Sequence, residues 1–261
     1  PETALAKSAG LALGPRGGIE VDERMRTSVP GIWAVGDAVE VRETVTGVEV
    51  VLPLAGPANR QGRIAAADIC EREARFRGVQ GTSVVGCFGL IAACTGANER
   101  TLDRLGQTDF ERVYLHPGHH VGYYPGAKPI HMKLIFRPSD GRVLGAQAVG
   151  EEAVARRIDV ISTAIQMGAT VFDLEEAELC YAPQFGAAKD PVNLAGMIAA
   201  NVVRGDVELA SWKNLVGGIP PGVRVIDVRR PGELERGRVE LAENIPLEEL
   251  RERADEIGDD E

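Results

Sequence analysis

An apolar run that stops at Gly-Asp constrains this chain more than any other stretch. Thr27-Ser-Val-Pro-Gly-Ile-Trp-Ala-Val-Gly-Asp-Ala38 reads as a strand over Ile32 to Val35, with Gly36 ending it and Asp37 exposed at its carboxyl end. Open α/β sheets bind ligands outside the carboxyl ends of their strands. A carboxylate there accepts hydrogen bonds from sugar-type hydroxyls, and a glycine lets backbone approach a ligand closely. Taken alone, Gly-Asp more often marks an ordinary turn. Downstream, Pro53-Leu-Ala-Gly-Pro-Ala-Asn-Arg-Gln-Gly-Arg63 opens a helix whose positive N-terminal end, at Ala55, suits an electron-rich ligand.

Length and charge narrow the class. With 261 residues, 44% of them hydrophobic, the chain buries a real core in one to three domains. A net charge of −10 argues against nucleic acid and anionic membrane partners, although local basic groups remain able to hold a small anion. No apolar run reaches membrane-spanning length and no signal peptide opens the sequence, so a cytoplasmic protein is expected. Cys70, Cys87, Cys94 and Cys180 form no Cys-x-x-Cys pair and have small or apolar flanks, which predicts buried, reduced, structural thiols. His116, His119, His120 and His131 lack ligand spacing with any cysteine pair, and no metal is expected.

Along the chain, Gly17-Gly18 turns into a short strand, and Ser83 to Phe88 and Leu90 to Thr95 read as strands separated by a bulge at Gly89. Asn98 caps a short helix closed by Gly106. Arg112 to His116 is a strand, followed by the loop Pro117-Gly-His-His-Val-Gly-Tyr-Tyr-Pro-Gly126. Ile130 to Phe136 and Arg142 to Val149 form a hairpin around Pro138-Ser-Asp-Gly141. Val154, Ile158, Ile161 and Ile165 recur at helical spacing within Glu151 to Gly168. Asp190 caps, and Pro191 opens, a helix running to about Arg204. A Gly- and Pro-rich linker then precedes Val223-Arg-Val-Ile-Asp-Val-Arg229, which reads as a buried parallel strand, and a charged helix after Ile245.

The Thr27–Ala38 run with the Pro53–Arg63 helix resembles the second flavin-binding segment of the pyridine nucleotide-disulfide oxidoreductases. Cys180-Tyr-Ala-Pro-Gln-Phe-Gly-Ala-Ala-Lys-Asp-Pro-Val-Asn193, with the His-Pro-Gly-x-His-x-Gly-Tyr-Tyr-Pro-Gly loop, is similar to the coenzyme A-disulfide and NADH-dependent persulfide or polysulfide reductases. Asp227-Val-Arg229 and Asn244-Ile-Pro-Leu247 resemble the start of a rhodanese, a domain often appended to those enzymes; Arg238-Val-Glu-Leu241 departs from its usual turn, and no cysteine follows Cys180 to carry a persulfide. The resemblance implies an α/β FAD-domain remnant at 1–78, an α+β dimerisation domain at 79–212, a linker at 213–222 and a truncated α/β rhodanese-like piece at 223–261. The chain therefore reads as a C-terminal fragment, lacking both Gly-x-Gly-x-x-Gly fingerprints and the redox cysteine.

The family implies FAD and NAD(P)H as cofactors, a homodimer, and coenzyme A disulfide, persulfide or polysulfide as substrate. By motif match Gly36, Asp37 and Ala55 meet the flavin, and Tyr181 reaches the flavin of the partner subunit. Tyr123, in less secure register against Tyr124, joins Tyr181 near the reactive sulfur. Asn59 and Lys189 meet the substrate, Lys189 as a point charge for an anionic group; His120 is expected to pack within its loop. Packing is the alternative for each tyrosine. As a whole, the alternatives are an NADH oxidase of the same superfamily and a non-catalytic dimerisation fragment, and the isolated polypeptide is expected to be inactive.

Overall fold

The computed structural model describes residues 1–211, 215, 216, 218–235 and 237–257. The chain forms two compact units, Pro1–Val207 and Glu208–Glu261. In the first, helix α1 (Ala4–Ser8) leads to strands β1 (Ile19–Glu20), β2 (Val39–Arg42) and β3 (Glu49–Val51), which form one sheet with β1 parallel and β3 antiparallel to β2. Helix α2 (Ala55–Ile69) covers it, and Met25, Val39, Val41, Ala65, Phe76 and Val79 form the core between them.

Beyond α2 lies an antiparallel sheet of order β4-β5-β8-β7-β6, built from β4 (Ser83–Cys87), β5 (Leu90–Gly96), β6 (Glu111–Leu115), β7 (Ile130–Phe136) and β8 (Val143–Gly150). Its alternation sorts the faces, as a pleated strand must. Ile130, Met132, Leu134 and Phe136 turn to helices α4 (Val154–Met167), α5 (Val171–Glu175) and α6 (Pro191–Arg204). Ile135 and Leu144 turn the other way, to helix α3 (Glu99–Arg104) through Leu102. Helix α4 buries the predicted stripe Val154, Ile158, Ile161 and Ile165, and α6 begins at the predicted Asp190 cap with Pro191 in its first turn. Gly196 permits α6 to touch α5, because a methyl group there would sit 2.3 Å from the Glu175 nitrogen.

Several expectations need correction. Ile32 to Val35 is not a strand: only Trp33 bridges, to Arg26, and Ile32 and Val35 are exposed because no strand pairs alongside them among the described residues. Gly89 is not a bulge. Phe88 and Gly89, at φ +48° and +82°, form a two-residue reverse turn that joins β4 to β5 with Cys87 paired to Leu90. Nor are the thiols buried: Cys70, Cys87 and Cys180 are exposed and Cys94 half-buried, since they end a helix, end a strand, lie in a loop and sit mid-strand.

The second unit is sparer. Strands β9 (Ile226–Asp227) and β10 (Glu243–Asn244) pair in parallel, with helices α7 (Pro231–Leu234) and α8 (Ala254–Ile257). The expected buried strand over 223–229 contracts to β9, and Val223 and Val228 are exposed for want of a covering layer. A run of turns over 247–253 takes most of the expected charged helix, leaving only α8. Two short stretches of this unit are tied together: Asp227 binds the Arg229 guanidinium at 2.6 Å, and the Asn244 carboxamide donates to the carbonyls of Asp227 and Arg229. Residue 212 of the expected dimerisation domain, residues 213, 214 and 217 of the expected linker, and 236 and 258–261 of the expected rhodanese-like piece lie outside the described residues. No described helix is long and apolar enough to cross a membrane.

Candidate functional site

Helix α2 holds the Gly36–Asp37 turn in place. Gln61, buried on α2, accepts the Gly36 N–H at 2.7 Å, and Gly36 adopts φ +89°, a conformation that disfavours a side chain. Asp68, near the other end of α2, takes Arg26 in a fork at 2.6 and 2.7 Å, the Trp33 indole N–H at 2.9 Å and Arg24 at 3.2 Å. The bonds from Arg26 above all hold the Asp68 carboxyl far below the usual carboxylate range. The segment from 24 to 36 is thus fastened to α2 at both ends.

Asp37 is exposed and engages no side chain among the described residues, so its oxygens are free to accept from hydroxyls. Ala55 begins α2, and its Leu54 N-cap supplies no side-chain acceptor; the first turn carries no acidic residue. The positive end of that helix dipole is therefore open. Asn59, one turn on, is exposed and donates to the Ala55 carbonyl at 2.9 Å.

The second cluster is the phenol pair. Tyr123 Oη and Tyr181 Oη lie 3.0 Å apart, joining the loop before β7 to the loop before α6. Tyr124 instead meets His120 edge-on, and His120 is buried, as a packing residue should be. The bond to Tyr123, more than burial, raises the Tyr181 pKa above the ordinary phenol value. Tyr181 and Phe185 are exposed, as is Lys189, which forms no ion pair among the described residues. No hydrogen bond or ion pair among the described residues joins this cluster to Gly36, Asp37, Ala55 and Asn59 within one chain.

Both loops are anchored from below by groups the sequence reading missed. Arg157, fully buried on α4, donates to the His119 carbonyl at 2.7 Å and to Asp190 at 2.9 Å. Its neighbour Arg156 reaches Asp190 at 3.3 Å and the Phe185 carbonyl at 3.1 Å. Asp190 also accepts the Val192 N–H as the α6 cap, and the Val121 N–H donates to Gly186 O, tying loop to loop. Asn193 on α6 donates to the carbonyls of Leu174 and Ala177, fixing where the second loop departs. The one sequence cue was Arg157 itself, a charge on the buried side of an apolar stripe.

Residues 1–73 match the pyridine nucleotide-disulphide oxidoreductase domain, and residues 83–190 match the dimerisation domain of the same proteins. The chain belongs to the pyridine nucleotide-disulphide oxidoreductase family. It is 33% identical to a coenzyme A disulfide reductase of Staphylococcus epidermidis, over 75% of this chain and 44% of that protein. With an NADH oxidase of Methanocaldococcus jannaschii it shares 38% identity, over 75% and 43% respectively. Crystalline reduced Bacillus anthracis CoADR-RHD superposes with a TM-score of 0.94 at 47% identity, covering 100% of this chain and 47% of that one. A NAD-dependent persulfide reductase from A. fulgidus gives 0.89 at 40% identity, covering 99% and 46%. The chain spans less than half the length of each of these relatives. Within this family member, the Gly36–Asp37 turn and α2 fall in the first matched domain, and the phenol pair falls in the dimerisation domain.

Proposed function

We propose that this chain is the C-terminal portion of a dimeric, FAD-dependent reductase that uses NAD(P)H to cleave coenzyme A disulfide, a persulfide or a polysulfide. The observation that carries this reading is the Tyr123–Tyr181 pair, two exposed phenols 3.0 Å apart on a buried ionic anchor. A phenol whose pKa is raised stays protonated at neutral pH and can donate to a departing thiolate. Exposure of both hydroxyls leaves them accessible to a ligand from outside the chain.

The residues present fit part of a flavin site. The unengaged Asp37 carboxylate suits ribityl hydroxyls, empty space beside Gly36 admits a close ligand, and the open α2 N-terminus suits an electron-rich ring edge. Bound flavin supplies the electrons; this chain positions it through Gly36, Asp37 and Ala55, holds substrate through Asn59 and Lys189, and delivers the proton through Tyr181. Exposed Val84, Val85, Phe88 and Leu90 leave both sides of the β4–β5 hairpin apolar and open to a second copy. Free cysteines accord with a cytoplasmic setting.

The test uses the full-length protein that carries this chain. Tyr181→Phe should retain bound flavin yet slow NAD(P)H-dependent turnover of coenzyme A disulfide or persulfide by about 10²-fold or more. Unchanged turnover would remove the phenol from the chemistry. The NADH oxidase reading is favoured by the 38% identity to the M. jannaschii protein. Oxygen consumption without any disulfide or persulfide turnover selects it.

A further inference from the structure

Three arginines from separate parts of the first unit line one small cavity. Arg60 comes from α2, Arg77 from the segment between α2 and β4, and Arg142 from the residue before β8. The cavity holds about 140 Å³, and Thr44, Gln80 and Gln166 complete its polar lining, with no carboxylate among the lining residues. None of the three guanidiniums forms an ion pair among the described residues. Elsewhere arginines are paired readily: Arg26 with Asp68, Arg157 with Asp190 and Arg204 with Glu175.

Such a lining is unusual in a chain with 39 acidic against 29 basic residues. Like charges around one cavity repel unless a counter-charge joins them. All three arginines are exposed; Arg60 stands over the Phe76 ring at 5.3 Å, and a methyl group built on Gly168, at the end of α4, would sit 3.4 Å from the Arg142 guanidinium. Gln80 is held by Thr95 at 3.1 Å and by the Ser162 hydroxyl at 2.6 Å, so the wall behind the arginines is rigid. A cluster of unpaired guanidiniums around one cavity matches an oxyanion, to which each can present two parallel N–H donors. Ligand pockets for whole small molecules run to about 300 Å³ and above, so this one suits a single ionic group.

We propose that this cavity binds a phosphate group, either as inorganic phosphate or as the terminal phosphoryl group of a small organic phosphate. The site is separate from the phenol pair and from the Gly36–Asp37 turn, and it does not depend on the function proposed above.

Calorimetric titration of the full 261-residue chain tests it, with ionic strength held constant by chloride. Inorganic phosphate and glycerol 3-phosphate are the two probes. Saturable binding of inorganic phosphate alone identifies an ion site; binding of both identifies a phosphoryl site open to organic esters. Arg77→Gln is the decisive variant, because the Arg77 side chain is exposed and has, among the described residues, no hydrogen bond or ring contact whose loss disturbs the fold. It should weaken binding by about tenfold or more, the effect of losing one charge-assisted hydrogen bond. Arg72→Gln, outside the lining, should leave affinity unchanged, and Arg77→Lys should retain more binding than Arg77→Gln. No saturable binding of either probe, or equal affinities in wild type and Arg77→Gln, overturns the proposal.

Discussion

Replacing Asp190 with asparagine separates the two tasks of that side chain. Asparagine caps a helix as well as aspartate does, so the α6 cap survives. The charge does not, and Arg157 is left fully buried with its guanidinium facing a neutral amide where it now meets Asp190 at 2.9 Å. Removing one partner of a buried ion pair costs about 3–5 kcal/mol, because the remaining charge has lost water and gained no counter-charge. Arg156, which shares Asp190 at 3.3 Å, loses its counter-charge as well, but its half-exposed side chain keeps water. In a unit of this size about 3 kcal/mol lowers Tm by roughly 6–12 °C. Thermal and urea unfolding followed by circular dichroism measure the change. The double variant Arg157→Met/Asp190→Asn, which removes both charges, should recover most of the loss; a buried ion pair is often replaceable by apolar packing. A single-variant cost below about 1 kcal/mol, or a double variant worse than the single, refutes the view of Asp190 as a buried counter-ion.

Further outcomes follow from other parts of the structure. Tyr123→Phe should lower the Tyr181 pKa towards its ordinary value of about 10, since the Tyr123 bond is the main cause of its rise; ultraviolet titration reads this directly. Asp68 has a folded pKa far below its unfolded one, so its stabilisation is complete above about pH 4 and is lost as pH falls through the folded value. Asp68→Asn should therefore flatten the acid limb of the stability–pH curve, and an unchanged limb contradicts the assignment. His116 titrates below its ordinary value, through burial first and His131 second, so its neutral form is favoured in the fold and its stabilisation fades as pH drops below about 6.5. His116→Gln should remove that dependence in urea unfolding at pH 5 to 8. Phe88→Glu should shift sedimentation from dimer towards monomer while leaving circular dichroism unchanged, if the β4–β5 hairpin meets a second copy.

Much of the fold was legible because its signals are local. The Asp190-Pro191 start of α6, the Asn98 cap of α3 and the apolar stripe of α4 each sit within a few residues of the structure they specify. The strand expected at Ile32 to Val35 failed for the opposite reason: a parallel strand exists only beside its neighbours, and apolar composition does not supply them. Gly89 was misread because Phe88 shares the turn in a left-handed conformation that aromatic residues seldom adopt. Motif resemblance pointed to Tyr123 and Tyr181, and their contact spans 58 residues that no spacing rule connects. Arg157 and Asp190, 33 residues apart, were invisible as a pair; only the fold reveals that one carboxylate serves two loops and a helix.

The hairpin tip has a consequence in time as well as space. Phe88 stands wholly in water, and β4 beside it is the outer strand of its sheet, with backbone groups on that side unclaimed among the described residues. An oily ring next to an open strand edge is what lets newly made chains adhere to whatever they meet first. If the hairpin meets a second copy, as proposed above, that pairing covers the edge and ends the vulnerable interval.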